Sequence, residues 1–554
     1  MCRGTAGSLV GAACATLVLA MTVYSTACGT GATVGSPAPA FARDTVVAAA
    51  DPSAAPPAEG RMPIYTNDNA PPAPKLEDLE LKDSVVQYGI TWTFEAPARV
   101  GQFVGGDYYV VGPVTVKAID PKPLFGEEVP EAQRGANEKK GIKDGKFLRN
   151  GSMLNPPAKL NVFAYDSGIR SKPYYHAELA ARLPVTMKPG DALVSSVSLK
   201  VGERVPTPEG IERCYREHHD DSPIRTMAVL TCLAEPVPAD AFRPSPFVRK
   251  PTIYLARNLR RDLLPKLEPA GTMPPMAKIV RIFQRPWINT CWFGFDLPIE
   301  NMPHYGQHIG ASVSLGSMVL CCDLKPGEKE PLLLGMTQAG IDLWGTIDAG
   351  HPGWCAWGGH HSGRKPLIVL AGIMLGDTRM ASPTKTHPEV QFQEDEHTGF
   401  GEGWTGSRVV FQGVIPSHSN PATGPYEHRH PSQWVAPRTG DNRTSRSNWQ
   451  SEGYRRCCTS VSWPGYALML QLLHAEQQWG HDAFFVYVDR WMMEDNIETA
   501  KVLHGVSKGT DWEIPVWYLR HKVKTDAFVQ AMWDKYRPTV DAPIDGWRLK
   551  RDQD

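Results

Sequence analysis

The stretch His351-Pro-Gly-Trp-Cys-Ala-Trp-Gly-Gly-His-His-Ser-Gly-Arg-Lys365 gathers six residues able to do chemistry. Two indoles (Trp354, Trp357), two imidazoles (His360, His361) and two cations (Arg364, Lys365) sit on a Gly-rich loop that runs into an apolar helix. A loop at a helix N-terminus favours anions, and Arg364 with Lys365 adds to that. The set suits a site where indole faces stack on a sugar while a cation and an imidazole meet a carboxylate. The competing reading is a tight turn with its Trp residues in the core and its Arg capping a neighbouring helix. Paired His beside Gly-Gly is poor core material, which favours the site.

Three further clusters carry candidate chemistry. Glu300-Asn301-Met-Pro-His304-Tyr305-Gly-Gln307-His308 opens another helix. Tyr305 can serve there as general acid or base with Asn301 as hydrogen-bond donor; alternatively Asn301 is an N-cap and Tyr305 a rim residue. Ser451-Glu-Gly-Tyr454-Arg455-Arg456-Cys457-Cys458 sets Tyr454 beside two guanidiniums, and nearby cations favour phenolate, as a proton-abstracting Tyr requires. The bland alternative pairs those Arg residues with helix C-termini. Gln393-Glu-Asp-Glu-His397 is dense in carboxylates, but contiguous side chains alternate direction and cannot all bind one ion, so a solvated acidic turn is expected. Tyr426-Glu-His428-Arg-His430 leaves the same metal question open. G-x-x-x-x-G-K-[ST] and H-E-x-x-H motifs are absent, and Gly101-Gln-Phe-Val-Gly-Gly-Asp107 reads as a turn between strands and not as a nucleotide loop.

The elements that must position these residues fall into two parts. Short alternating runs from about Ser84 (VVQYGITWTF, GDYYVVGPVTVKAI, ALVSSVSLKV, RTMAVLTCLA) predict an antiparallel β-sandwich or barrel over 83–250. In DALVSSVSL, Leu193, Val197 and Leu199 share one face, with Ser between. After Pro251 apolar residues recur at i, i+3, i+4 and i+7, which predicts a mainly helical domain over 251–554, with long loops at 346–364 and 383–462. Fifteen of the 16 Trp lie from Trp287 onward, as do 14 of the 17 His from His304. The second part is therefore where a site is expected. A net charge of −1 with 42% hydrophobic residues speaks against a disordered chain and against a nucleic-acid partner.

Residues 1–27 read as a secretory signal: Arg3, an apolar run from Leu9 to Val23 too short to span a bilayer, then small residues. Cys28 follows Ala27, so the mature chain is either plainly cleaved or lipid-anchored at Cys28; Ser25 stands where lipoprotein signals usually carry Leu. Residues 28–82 are an Ala/Pro-rich linker. The protein is thus expected secreted or periplasmic, its membrane contact restricted to that anchor. Beyond Cys28, eight cysteines suit an oxidising compartment. Cys214 with Cys232 is the natural local bridge. The adjacent pairs Cys321-Cys322 and Cys457-Cys458 could close vicinal disulfides, bridge elsewhere or remain buried thiols.

With these features in hand, the second part resembles the α/α-toroid carbohydrate-active proteins, the architecture of alginate-lyase-like and heparinase-like polysaccharide lyases. TWTFEAPARVGQFVGGDYYVVGPV, GGHHSGRKPLIVLAG and YRRCCTSVSWPG are also similar to segments of a group of exported bacterial proteins. The resemblance implies an N-terminal antiparallel β-sandwich followed by an α/α-toroid-like domain, and a polysaccharide substrate. The sheet part here precedes the helices, as in some toroid hydrolases. The alginate-lyase Asn-Asn-His signature has no residue-for-residue match, so no catalytic position is carried over. For a lyase acting by β-elimination on a uronate, Arg364 or Asn301 would neutralise the carboxylate, His361 or Tyr454 would take the C5 proton, and Tyr305 or the same Tyr would protonate the leaving oxygen. Trp354, Trp357, His360, Lys365 and Arg455 would bind substrate, and no cofactor is expected. A hydrolase would instead need two carboxylates about 5–9.5 Å apart, for which Asp348 with Glu394 or Glu396 are the candidates. A non-catalytic glycan-binding protein would use the Trp pair alone.

Overall fold

The computed structural model describes residues 62–133, 148–166, 176–210, 212–214, 224–290, 298–303, 305–325, 327–413, 425–434, 448–494, 496–508 and 525–549. The expected signal, Cys28 and most of the linker lie outside these residues. The first part is mostly sheet and the later part helical, as the change of periodicity predicts.

Eight strands form one sheet: β1 (Glu80–Gln87), β2 (Ile90–Gln102), β3 (Tyr108–Val111), β4 (Val114–Asp120), β5 (Ser152–Leu154), β6 (Val185–Met187), β7 (Ala192–Ser198) and β8 (Ile224–Leu233). Their order is β5-β7-β8-β3-β2-β4-β6, with β1 also paired to β2. Pairing is antiparallel except where β8 runs parallel to β3, Cys232 opposite Val110. Side chains alternate across a strand, so Leu193 and Leu230 join the cluster around Trp92 and Val100 while Val194 and Val229 join the one around Met153 and Phe163. The sheet is buried on both faces. The serines of β7 are consequently internal: Ser195 accepts from Trp92 Nε1 at 3.0 Å, and Ser196 donates to the Gly151 carbonyl at 3.0 Å. Cys232 lies in this core as a free thiol. Cys214 belongs to a separate hairpin, Glu212–Cys214 against Arg204–Pro206, so the expected Cys214–Cys232 bridge is not formed.

The helical part contains α1 (Met276–Ile282), α2 (Gly306–Leu320), α3 (Glu330–Asp348), α4 (Arg364–Leu375), α5 (Asn448–Tyr454), α6 (Pro464–Leu472), α7 (Asp482–Met493), α8 (Asn496–Ser507) and α9 (Ala527–Tyr536). α4 is buried along nearly its whole length, as its unbroken apolar run requires. It packs on α3 where Gly340 has no side chain: a Cβ there would meet the Leu367 carbonyl oxygen at 2.3 Å. No helix among the described residues is long and apolar enough to cross a membrane.

One buried arginine ties the two parts. Arg243 Nε donates to Asp107 in the β2–β3 turn at 2.9 Å, and its Nη2 contacts both oxygens of Asp342 on α3 at 2.8 and 2.6 Å. Trp287 N–H donates to Asp342 as well, at 3.0 Å. Burial pushes the Asp342 carboxyl up, and the Arg243 guanidinium opposes that.

Candidate functional site

The Trp/His loop lies across the first two turns of α2. Gly306 and Gly310 stand four residues apart on one face and leave a groove there. A Cβ on Gly306 would fall 1.8 Å from the His360 carbonyl oxygen, and one on Gly310 2.8 Å from Ser362 Cβ. Tyr305, immediately before the helix, thereby meets the loop. Its hydroxyl accepts the Gly359 N–H at 3.0 Å, and its ring stands edge-on to His360 with centroids 4.8 Å apart. From the other side comes the end of α5. A Cβ on Gly358 would lie 3.0 Å from the Tyr454 ring, and one on Gly359 2.0 Å from the Cys458 carbonyl oxygen. Tyr305, His360 and Tyr454, drawn from three separate sequence clusters, thus converge on Gly358-Gly359. His360 and Tyr454 are half-buried, and Tyr305 is 7% exposed. His308, one turn into α2, adds an imidazole 6.1 Å from the Tyr305 ring, with Nδ1 3.5 Å from Glu209.

His361 is buried, with Nδ1 2.6 Å from the Cys355 carbonyl. A ring nitrogen facing a carbonyl must carry the proton, so the lone pair of the neutral ring sits on Nε2.

The expected solvated acidic turn is instead a buried clasp on this loop, built on the helical turn Gln393–His397. Gln393 accepts from His361 N and donates to Ser362 Oγ; Glu394 accepts from Gly363 N and Tyr466 Oη; Glu396 accepts from Ala356 N; His397 lies against the Gly358 carbonyl. Burial pushes the Glu394 and Glu396 carboxyls up. The sequence displays these residues, but only the fold turns their side chains inward.

Several residues expected to meet a ligand have partners inside the protein. Trp354 and Trp357 are 1% and 3% exposed, and Trp354 Nε1 donates to the Asn289 carbonyl at 3.2 Å, so neither indole presents a face for stacking. Arg364 is buried, donating to the Ser362 carbonyl at 2.8 Å and, with the Asn289 amide oxygen turned toward it, to Asn289 at 2.8 and 3.0 Å. Lys365 pairs with Asp395 and lies 4.1 Å above the Trp479 ring; burial lowers its pKa. Asn301 donates to the Ile282 carbonyl at the end of α1. The core reading therefore holds for Trp354, whereas Arg364 caps no neighbouring helix and is held inside by Asn289; both partners come from the 280s segment, which no local pattern announces.

Arg455 also turns away from Tyr454. Successive residues of a helical turn point about 100° apart, and Arg455 enters a fully buried network that the sequence reading missed. Glu427, Glu452 and Glu494 meet Arg455, Arg456 and Arg490 there, three charges of each sign. Burial alone would raise the Glu452 carboxyl; Arg456 and Arg455 outweigh it and hold it below the usual range, and Arg490 and Arg455 do the same for Glu494. This network anchors the Tyr426–His430 segment, with Tyr426 Oη donating to Glu452 at 2.7 Å.

Among the described residues no group of three or more His, Cys, Asp or Glu side chains is placed to hold a metal ion. The hydrolase candidates are each engaged by other groups: Asp348 accepts from Arg379 at 2.7 Å and lies 3.2 Å from His387, Glu394 is enclosed in the clasp, and Glu396 accepts from Ala356 N. Comparison of the chain with family models, curated proteins and solved structures returns no match.

Proposed function

We propose that the protein is an exported polysaccharide lyase that cleaves a uronate-containing chain by β-elimination, with its chemistry at the Tyr305–His360–Tyr454 cluster. The observation that carries this reading is the convergence of two phenols and an imidazole on Gly358-Gly359 from three distant segments. Elimination needs a base for the C5 proton and an acid for the leaving oxygen. Tyr454 or His361 is assigned as base, the latter through Nε2, and Tyr305 as acid. With Arg364 and Arg455 committed to Asn289 and to buried glutamates, the carboxylate falls to the N-terminal N–H groups of α2 and to His308. On this reading the helices form an α/α-toroid-like domain behind a β-sandwich-type front domain. Buried indoles weigh against a pure glycan binder, and the engagement of Glu394 and Glu396 by backbone amides of the loop weighs against a hydrolase.

The test is a panel of polyuronates assayed for the ultraviolet absorbance of an unsaturated uronate. The reading requires product from at least one, its loss in Tyr305→Phe, and its loss in Tyr454→Phe or His361→Ala. Reducing ends without absorbance would establish hydrolysis, and column retention without either product a binding protein.

A further inference from the structure

Immediately after Tyr454 the helix widens into a π-turn over Arg455–Thr459, and within it Cys457 and Cys458 form a disulfide between adjacent residues. π-Turns inside helices are uncommon and concentrate at functional sites. Their Cα separation is 3.7 Å, the spacing of a trans peptide, so the ring closes over a single peptide unit and fixes its backbone. The carbonyl of Cys458, on the peptide unit that leaves this ring, is also a wall of the cluster. The Cys458 carbonyl oxygen abuts Gly359 closely enough that a Cβ there would lie 2.0 Å away, and the same Cβ would lie 2.8 Å from Tyr305 Oη. Cys458 is 4% exposed, whereas Cys457 is half-buried and reachable from solvent. The other described pair of adjacent cysteines, Cys321-Cys322, is fully buried, unbridged and remote from the loop, at the C-terminal end of α2.

We propose that the Cys457–Cys458 disulfide is a positioning element that holds Gly359, and through it Tyr305 and His360, in the arrangement the site requires, and that a dithiol reductant switches the site off. The step is two-electron exchange: a dithiol attacks the accessible Cys457 sulfur, the S–S bond breaks, the reductant leaves as its own disulfide, and its two protons end on the Cys457 and Cys458 thiols. With the ring open, the N–Cα torsion of Cys458 regains its freedom, and with it the Cys458 carbonyl that walls Gly359 can move. This inference deepens the lyase reading, since it assigns a regulator to the same cluster.

The experiment uses the full chain, native, treated with dithiothreitol, and as the Cys457→Ser/Cys458→Ser double variant, with three readouts. Iodoacetamide labelling with peptide mapping should add label at Cys457 and Cys458 only after reduction; label there in untreated protein overturns the proposal. The ring resonances of His360 should shift, in the same direction, on reduction and in the double variant, while the thermal midpoint stays close to native; unmoved resonances overturn it. On whichever polyuronate is cleaved, turnover should fall about a hundredfold, the cost of displacing a positioned group by ~1 Å. Unchanged turnover on a cleaved substrate overturns the switch. If no polyuronate is cleaved, the lyase reading fails alone, because labelling and resonances still decide whether the disulfide positions the cluster.

Discussion

The Gly359 N–H donates to the Tyr305 hydroxyl at 3.0 Å, joining a residue at the mouth of α2 to a loop 54 positions away. Both groups are buried, so the bond fixes the phenol as firmly as it satisfies the amide.

Tyr305→Phe should leave that N–H without an acceptor and cost about 1–3 kcal/mol. Gly359→Ala should cost at least as much, since its methyl would enter the space of the Cys458 carbonyl and the Tyr305 hydroxyl. Chemical denaturation of both variants checks this. Equal stability of Gly359→Ala and native protein would mean that the loop does not lie against the 458 peptide.

Trp354→Ala should behave as a core truncation. A buried indole hydrogen-bonded to Asn289 costs about 3–5 kcal/mol to remove, visible as a lower thermal midpoint. A surface stacking residue would instead lower retention on glycan columns with the midpoint unchanged.

Arg243→Met should cost about 3–5 kcal/mol, because it strands two buried carboxylates, Asp107 and Asp342. Asp342→Asn should cost less, since Arg243 keeps Asp107. As Arg243 bonds sheet to helices from a fully buried position, its loss should also broaden or split the unfolding transition seen by calorimetry.

His351 gives a pH signature. Burial lowers its pKa from 6.5 to about 4, and the ring is neutral, its Nδ1 accepting from Gly353 N at 3.1 Å. The unfolded chain binds a proton below pH 6.5 that the folded chain refuses until about pH 4. Stability is therefore full above 6.5 and falls as pH drops across that window, by on the order of 3 kcal/mol. Denaturation midpoints measured from pH 7 to 4 should show the slope, and His351→Asn should flatten it. Below that window the depressed Glu452 and Glu494 carboxyls give a further loss as they take up protons.

The sequence by itself determined the change from period-two to helical patterning near Pro251, the turn at Gly101–Asp107, and three clusters that supply Tyr305, His360 and Tyr454. These are local properties, set by side-chain type and spacing. It could not say which way a side chain faces. Arg364 looks the same in sequence whether it donates to Asn289 or meets a substrate, and Gln393–His397 reads as a solvated turn until a Gly-rich loop folds over it. Glu427, Glu452 and Glu494 carry no periodic signal, since their partners are arginines brought close only by packing. Those outcomes depend on contacts between residues dozens of positions apart, and Gly306, Gly310 and Gly359 permit them by letting backbone approach backbone. Tertiary structure therefore decided that Trp354 and Trp357 are core, that Arg364 and Lys365 are committed inside, and that two tyrosines, a histidine and a disulfide meet at one place.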